Sequence, residues 1–195
     1  MSEAENLLLK LLKERAFAQG QEFQLASGDV SHYYIDGKMV EVFSPGAHLI
    51  GEVIYERTKN LPIDAIGGLE AGAIPLTTSA VISYYHHGRE MEGFWVRDEA
   101  KKHGTEKLIE GNLKRGSRLV IVDDVVTKGN SVIKAVTAAR GIGCKIVLVL
   151  AVVDRLRGAE ELFRQQGIED YQPIFTIRDL GVEPNARGTA EVTSF

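Results

Sequence analysis

The sequence predicts an α/β protein in which a central, mainly parallel sheet is flanked by helices. Two observations carry that reading. Continuous apolar runs, Leu119 to Val122 and Ile146 to Val153 being the clearest, have the unbroken hydrophobicity of strands buried on both faces. Segments of helical period alternate with them, and such strand–helix units build a parallel sheet covered on both sides. At 195 residues the chain has room for one domain with a substantial core.

Each element follows from local pattern. Glu3 to Gln19 holds Leu7, Leu8, Leu11, Leu12 and Ala16 at helical spacing, which predicts an amphipathic helix ending near Gly20. Phe23 to Lys38 contains Gly28, Gly37 and two tyrosines in an extended or hairpin-like pattern. Pro45 opens a second helix, to about Lys59, because proline fits a first helical turn. Ile63 to Ile66 reads as a short strand, followed by a glycine-rich loop from Gly67 to Gly72. Ile74 to Tyr85 reads as a helix and Phe94 to Val96 as a strand. After the Leu119 strand, a helix over Ser131 to Arg140 is closed by Gly141 and Gly143. The Ile146 strand, a helix over Ala159 to Gln166 and a last strand over Ile174 to Ile177 complete the order. In open parallel sheets ligands bind beyond the carboxyl ends of the strands, so the residues after each strand are where chemistry is expected.

Composition narrows the function classes. No apolar run reaches the roughly 18–20 residues of a spanning helix. Leu7 to Leu12 is broken by Lys10 and preceded by acids, unlike a secretory leader. A cytoplasmic protein is expected, without a membrane partner. A net charge of −4 gives no global drive toward nucleic acid. The lone Cys144 lies beside an apolar strand and reads as a buried thiol. His48, His86 and His87 lack partners at metal-ligand spacing and read as surface or helix-end residues.

The stretch Leu119 to Ser131 carries the most chemistry. A four-residue apolar strand is followed by Asp123 and Asp124, then by Val125, Val126, Thr127, Lys128, Gly129, Asn130 and Ser131 entering a helix. Adjacent carboxylates can accept hydrogen bonds from vicinal sugar hydroxyls and sit near a Mg²⁺ brought by a phosphate ligand. A loop that opens a helix offers free N–H groups to a phosphate, and Gly129 permits close approach. This string resembles the phosphoribosyl pyrophosphate (PRPP) motif of type I phosphoribosyltransferases. The resemblance implies that fold, with Asp123 and Asp124 on the ribose hydroxyls and Val125 through Ser131 around the 5′-phosphate. Adenine, hypoxanthine, uracil and orotate enzymes share the motif, as do regulators that keep the fold without the reaction.

A second segment addresses the base. Arg97 to Gly111 is polar, has no apolar helical face, and presents Arg97, Lys101 and His103 as donors suited to a departing pyrophosphate. Its spacing, Arg-x-x-x-Lys-x-His-Gly with Ile-Glu-Gly further on, resembles the catalytic loop of the orotate phosphoribosyltransferase family. The resemblance implies catalytic roles for Arg97, Lys101 and His103 beside Asp123 and Asp124. It also implies a homodimer in which loop 97–110 of one subunit serves the other's site. Members of the family often carry a second base after the arginine. Asp98 stands there in this chain, and its charge would repel pyrophosphate.

Phe23 to Gly28 and Ser31 to Lys38 resemble the family's N-terminal hood. They imply a helix-and-hood segment over 1–40 and a core over 41–195. By the same resemblance, orotate falls to Tyr34, Ile35, Thr127 and Arg155, the last pairing with the orotate carboxylate. Gly67 to Gly72 sits where the family has its pyrophosphate loop, placing Glu70 and Ala71 against PRPP. Ala26 and Ala71 stand where some members have a basic residue. The expected reaction is the formation of orotidine 5′-monophosphate and pyrophosphate in pyrimidine biosynthesis. Mg²⁺ would arrive on PRPP rather than on dedicated side-chain ligands. The competing readings are a phosphoribosyltransferase for another base and a non-catalytic PRPP sensor.

Overall fold

The structure, a computed structural model, describes residues 1–24, 30–99, 107–184 and 190–192. The chain opens with helix α1 (Glu3–Leu11), a π turn (Leu12–Ala16) and the hairpin β1 (Phe17–Gln24) and β2 (Val30–Ile35). A one-turn helix α2 (Lys38–Glu41) and the long helix α3 (Ser44–Thr58) follow. Then come β3 (Ala65–Leu69), α4 (Ala73–His86), β4 (Glu92–Val96), β5 (Ile109–Gly111), β6 (Arg118–Val126) and α5 (Asn130–Gly141). The last elements are β7 (Lys145–Asp154), α6 (Ala159–Gln165), β8 (Tyr171–Thr176), a 3-10 turn (Ile177–Leu180), β9 (Val182–Pro184) and β10 (Ala190–Val192).

The main sheet has six strands in the order β5-β4-β3-β6-β7-β8. All neighbours are parallel except β4 with β5. The expected mainly parallel sheet is therefore found. Because side chains alternate along a strand, β6 feeds two cores. Val120 and Val122 pack with Ile50, Val53, Leu76 and Tyr84 of α3 and α4. Leu119 and Ile121 pack with Val132, Val136 and Phe163 of α5 and α6. Cys144 is buried and free, as its setting predicts. Among the described residues, no helix is long and apolar enough to cross a membrane.

Several boundaries differ from the sequence reading. The first helical segment stops at Ala16 rather than near Gly20, and Phe17 is already extended (φ −107°, ψ 127°). Phe17, Ala18 and Gln19 pair with Ile35, Tyr34 and Tyr33, so the hairpin ladder overrides the helical spacing. Gly20 lies at a register shift in β1 with φ 93°, marking a bulge and not a helix stop. At the other end, Ile177 leaves β8 and opens the 3-10 turn.

A third boundary bears on function. The strand expected over Ile63 to Ile66 is β3, which runs through Gly67 and Gly68. A Cβ on Gly67 would lie 2.1 Å from the Phe94 carbonyl oxygen, and one on Gly68 would lie 2.2 Å from that of Val122. These two glycines serve close packing inside the sheet. Only Glu70, Ala71 and Gly72 remain as loop.

Helix α1 is fixed by one carboxylate. Glu5 accepts a hydrogen bond from Ser2 N (2.7 Å), while Ser2 Oγ accepts one from Glu5 N, a reciprocal N-terminal cap. Glu5 also accepts from Arg57 Nε of α3 (2.9 Å). Burial would raise its pKa, but the Arg57 hydrogen bonds, the Ser2 N–H and the guanidinium charge together hold it below the usual value. A depressed folded pKa stabilises above the ordinary value of 4.5, and that stabilisation is lost as pH falls through the folded value. Glu5→Ala is therefore expected to cost about 1.5–3 kcal/mol at pH 7. Urea titrations should show that difference shrinking as pH drops below 4.5.

Candidate active site

The topology makes a crevice before any side chain is considered. From β3 the chain crosses through α4 to β4 on one side; from β6 it crosses through α5 to β7 on the other. The order reverses between β3 and β6, and ligands bind where an open parallel sheet has such a switch point. Pairing of β6 with β3 ends at Ile121–Gly67, whereas its ladder with β7 runs on to Val126–Asp154. Asp123 and Asp124 thus lie inside β6, not after it. They occupy the part of the strand that has a neighbour on one side only.

The two carboxylates differ in environment. Asp123 is buried (6% exposed) and accepts a hydrogen bond from Ser131 Oγ of α5 at 2.6 Å. Burial pushes its pKa up to about 7; the Ser131 hydrogen bond opposes this and the Asp124 charge adds to it. Asp124 faces the other way and pairs with Lys38 Nζ of α2, with 3.0 Å to its Oδ2. Both acids converge on Gly72. A Cβ there would lie 2.6 Å from Asp124 Oδ1 and 3.5 Å from Asp123 Oδ1. The loop that begins α4 therefore closes directly over the acids, and it does so because residue 72 has no side chain.

The segment after β6 is a tight turn into α5. Thr127 and Lys128 turn into Gly129, whose φ of 84° is left-handed, and no side chain caps α5. A Cβ on Gly129 would also strike the Phe163 ring at 2.4 Å. Glycine thus serves both conformation and packing, and the first N–H groups of α5 face the crevice mouth. Across from them stand Glu70 and Ala71, joined by a cis peptide. Glu70 Oε1 accepts a hydrogen bond from Asp98 N (3.3 Å), which ties this loop to the end of β4.

Arg97 leaves β4 with its N–H on the Leu108 carbonyl and its Nε on Glu110 Oε1 at 3.0 Å. The β4–β5 hairpin thus anchors the root of the 97–110 loop. Asp98, the acid at the position of concern, forms an ion pair with Lys134 of α5. Its charge has a cationic partner on the helix surface. Lys101 and His103 lie outside the described residues, as does Ala26.

The base-pocket residues are divided. Tyr34 is 43% exposed and stacks on Phe23 with ring centroids 5.6 Å apart. Ile35 is buried in the core. Neighbours on one strand face opposite sides, so their side chains do not form one wall. Tyr33, which the sequence reading left without a role, shares the inward face with Ile35. Its hydroxyl accepts a hydrogen bond from Arg155 Nε at 3.1 Å, and the guanidinium carbon lies 4.6 Å from its ring centroid. Asp154, the acid beside Arg155, accepts from Leu156 N and Tyr171 Oη at 2.7 and 2.8 Å.

A fold with this crevice has relatives. The phosphoribosyl transferase domain matches residues 46–164. The orotate phosphoribosyltransferase of Rhodopirellula baltica is 40% identical over 183 residues, covering 91% of this chain and 94% of that one. The chain belongs to the orotate phosphoribosyltransferase family. The orotate phosphoribosyltransferase of Corynebacterium glutamicum is 39% identical and covers 93% of this chain and 96% of its own. Among solved structures, the orotate phosphoribosyltransferase of Mycobacterium tuberculosis in complex with PRPP superposes with a TM-score of 0.76 at 31% identity. It covers 91% of this chain and 99% of that one. The same enzyme in complex with Fe(III) dicitrate gives a TM-score of 0.79.

Membership in the orotate phosphoribosyltransferase family raises the question of where Mg²⁺ could sit. Asp123 and Asp124 supply the hard oxygen donors this ion prefers, but among the described residues no group of three or more His, Cys, Asp and Glu side chains could hold a metal. That donor set fits a cation that keeps its waters and arrives with phosphate ligands. Beyond Tyr33, sequence reasoning passed over Gly72, Lys38 and Glu41. Glycine at 72 was legible only as part of a glycine-rich run, and the reach of Lys38 to Asp124 spans 86 positions.

Gly72→Ala tests the closure directly. The added methyl would push the loop off Asp124, raising the KM for PRPP about tenfold, or ~1.4 kcal/mol, while the melting temperature stays within a few degrees of the parent. Steady-state kinetics and a thermal melt check both parts.

Proposed function

We propose that the chain transfers the phosphoribosyl group of PRPP to orotate, reversibly, giving orotidine 5′-monophosphate and pyrophosphate in pyrimidine biosynthesis in the cytoplasm. The observation that carries this is the pair Asp123–Asp124, set at the switch point of the sheet immediately before the uncapped, glycine-turned start of α5. The likeness to a relative solved with PRPP supports the placement of that ligand here.

Each part of the crevice then has a task. The Asp123 and Asp124 carboxylates accept hydrogen bonds from the two ribose hydroxyls. The N–H groups and hydroxyls of Thr127 to Ser131, with Val125 and Val126 shaping the approach, hold the 5′-phosphate. The main chain at Glu70 and Ala71 meets the pyrophosphate. Asp123 and Asp124 would face a Mg²⁺ carried in on PRPP, which would supply neutralisation of phosphate charge. Arg155 meets the orotate carboxylate with its guanidinium aligned by Tyr33, and Thr127 and Tyr34 lie on the base side. The bond from C1′ to the pyrophosphate oxygen breaks as the orotate ring nitrogen bonds to C1′. The leaving group departs with the electron pair of the broken bond. Orotate is already an anion, so the protein contributes position and charge stabilisation rather than a covalent nucleophile. Arg97, Lys101 and His103 stabilise that leaving group, His103 also as a proton source.

Loss of orotate absorbance in the presence of PRPP and Mg²⁺ tests the reaction. Turnover is expected with orotate and to fall to background in EDTA. Consumption of uracil or a purine in its place would overturn the assignment of the base.

The working unit is a homodimer in which loop 97–110 of one subunit completes its partner's site. Lys101→Ala and Asp124→Asn homodimers should each be nearly inactive. Equal mixing with subunit exchange should restore roughly a quarter of the parent rate, since half of the dimers are mixed and each has one intact site. No recovery despite proven exchange would show that each loop serves its own subunit.

A further inference from the structure

One buried ionisable group near the crevice has no part in the reaction above. Glu41 ends α2 and is 4% exposed, and no N–H or hydroxyl reaches its carboxylate oxygens; the side chain they meet is the Asp124 carboxyl. An unpaired buried charge is among the costliest groups a fold can hold. Its surroundings explain how it is held. A Cβ on Gly37 would lie 2.3 Å from Glu41 Oε1, 3.3 Å from Asp124 Cβ and 3.4 Å from Asp124 Oδ2. Glu41 and Asp124 therefore border the same small gap, which exists because residue 37 lacks a side chain. The charged groups that act on Glu41 are Asp124 from β6, Lys38 from its own helix and Asp36 just before it. Burial, then the Asp124 charge, pushes the Glu41 pKa up to about 8, so it keeps its proton at neutral pH.

A protonated carboxyl set against a carboxylate is a hydrogen-bond donor to it. The acceptor beside it, Asp124, is occupied by Lys38, whose side chain is 54% exposed while that of Asp124 is only 16% exposed. Lys38 has a flexible stem and open solvent, so it can turn to an incoming phosphate; Asp124, inside a strand, cannot follow. Helix α2 itself is pinned. Val40 is fully buried, the Met39 carbonyl accepts from Arg15 Nε at 3.3 Å, and the Arg15 guanidinium lies 4.0 Å over the Phe43 ring. Glu41 is thus presented at a fixed place behind the ribose-binding acid.

We propose that Glu41 is a positioning residue which, as an uncharged acid, donates a hydrogen bond to Asp124 and holds that carboxylate toward the ribose hydroxyls of PRPP. This rests on the reading of Asp124 as a ribose-binding group. Glu41 touches neither substrate nor the reacting atoms and acts through Asp124 alone. A glutamine at 41 keeps the size and an N–H donor. Alanine and leucine remove the donor, and leucine keeps most of the volume.

The test is calorimetric titration of the full chain with PRPP and Mg²⁺, alongside kcat and KM for each substrate, for the parent, Glu41→Gln, Glu41→Ala and Glu41→Leu. Glu41→Ala and Glu41→Leu should weaken PRPP binding about tenfold and raise its KM equally, with kcat and the KM for orotate within about twofold. Glu41→Gln should bind within about twofold of the parent. Parent-like affinity in Glu41→Leu, or Glu41→Gln as impaired as Glu41→Leu, would overturn the proposal, and these two variants decide it if Glu41→Ala fails to fold. Because PRPP binding is read directly, failure of the parent to consume orotate would refute the proposed reaction without touching this result. Failure of the parent to bind PRPP at all would overturn both.

Discussion

The structure depends on one inequality of length: β6 outruns β3. From Leu119 to Ile121 the central strand is paired on both sides and its side chains are apolar. Beyond it, pairing continues with β7 alone. Carboxylates can be tolerated on the last residues of β6 because that side of the strand opens on the crevice, while the ladder with β7 keeps the backbone rigid. A β3–β6 ladder two pairs longer would take in Asp123 and cover its charge. The glycines of β3 belong to the same arrangement, since Gly67 and Gly68 let β4, β6 and α4 crowd around a strand whose pairing with β6 stops short. The site is thus set by strand lengths and by the absence of side chains as much as by the acids.

Around that opening the protein has reduced its own charge. PRPP is strongly anionic, and a crevice with two or three ionised carboxylates would repel it. Asp124 is paired with Lys38, Asp123 is shifted toward neutrality by burial, and Asp98 is paired with Lys134. The last pair answers the concern that Asp98 raises in the sequence. Its carboxylate has a cation on α5, and its main-chain N–H binds Glu70. The substitution of an acid for a base at that position is therefore absorbed locally instead of leaving an unpaired charge at the root of the loop. Both members of that pair are more than half exposed, so its contribution to stability is small and its effect is on the local field.

The parallel sheet, the order of its elements and the acid pair with its glycine turn were legible in the sequence because they rest on short-range signals: continuous apolar runs, a left-handed glycine, acids next to a strand. Boundaries failed where tertiary pairing competes with local spacing. Phe17 to Gln19 has helical periodicity but is claimed by the ladder with Tyr33 to Ile35. Gly67 and Gly68 read as loop because glycine is a loop residue, whereas here their role is steric. The hood shows the limit most plainly. Tyr33 and Tyr34 are adjacent and chemically alike, yet one supports Arg155 from the core and the other stacks outward on Phe23. Only the phase of the strand tells them apart, and a bulge at Gly20 in the partner strand shifts the register that would reveal it. Lys38 and Glu41 were illegible for a further reason: their partner lies more than 80 positions away, and nothing in a one-turn helix announces what it faces.

Two of the buried acids, Asp123 and Glu41, also weigh against the fold, and the sign of that effect argues for their use. Asp123 and Glu41 both have folded pKa values above their ordinary ones, near 7 and 8. A group raised in this way contributes stability below its unfolded pKa and loses it as pH rises through the folded value. From the ordinary carboxylate range up to about pH 8, each further increment of pH therefore costs this fold stability that an apolar or amide side chain would keep. Packing gives no reason to accept that cost, since the same volume could be filled without a charge. Asp123 stands instead where the proposed ribose site needs an acceptor, and Glu41 stands behind Asp124, the other acceptor proposed there. Local instability at the mouth of the switch point is the cost that the proposed sugar-phosphate site imposes on the sheet that carries it.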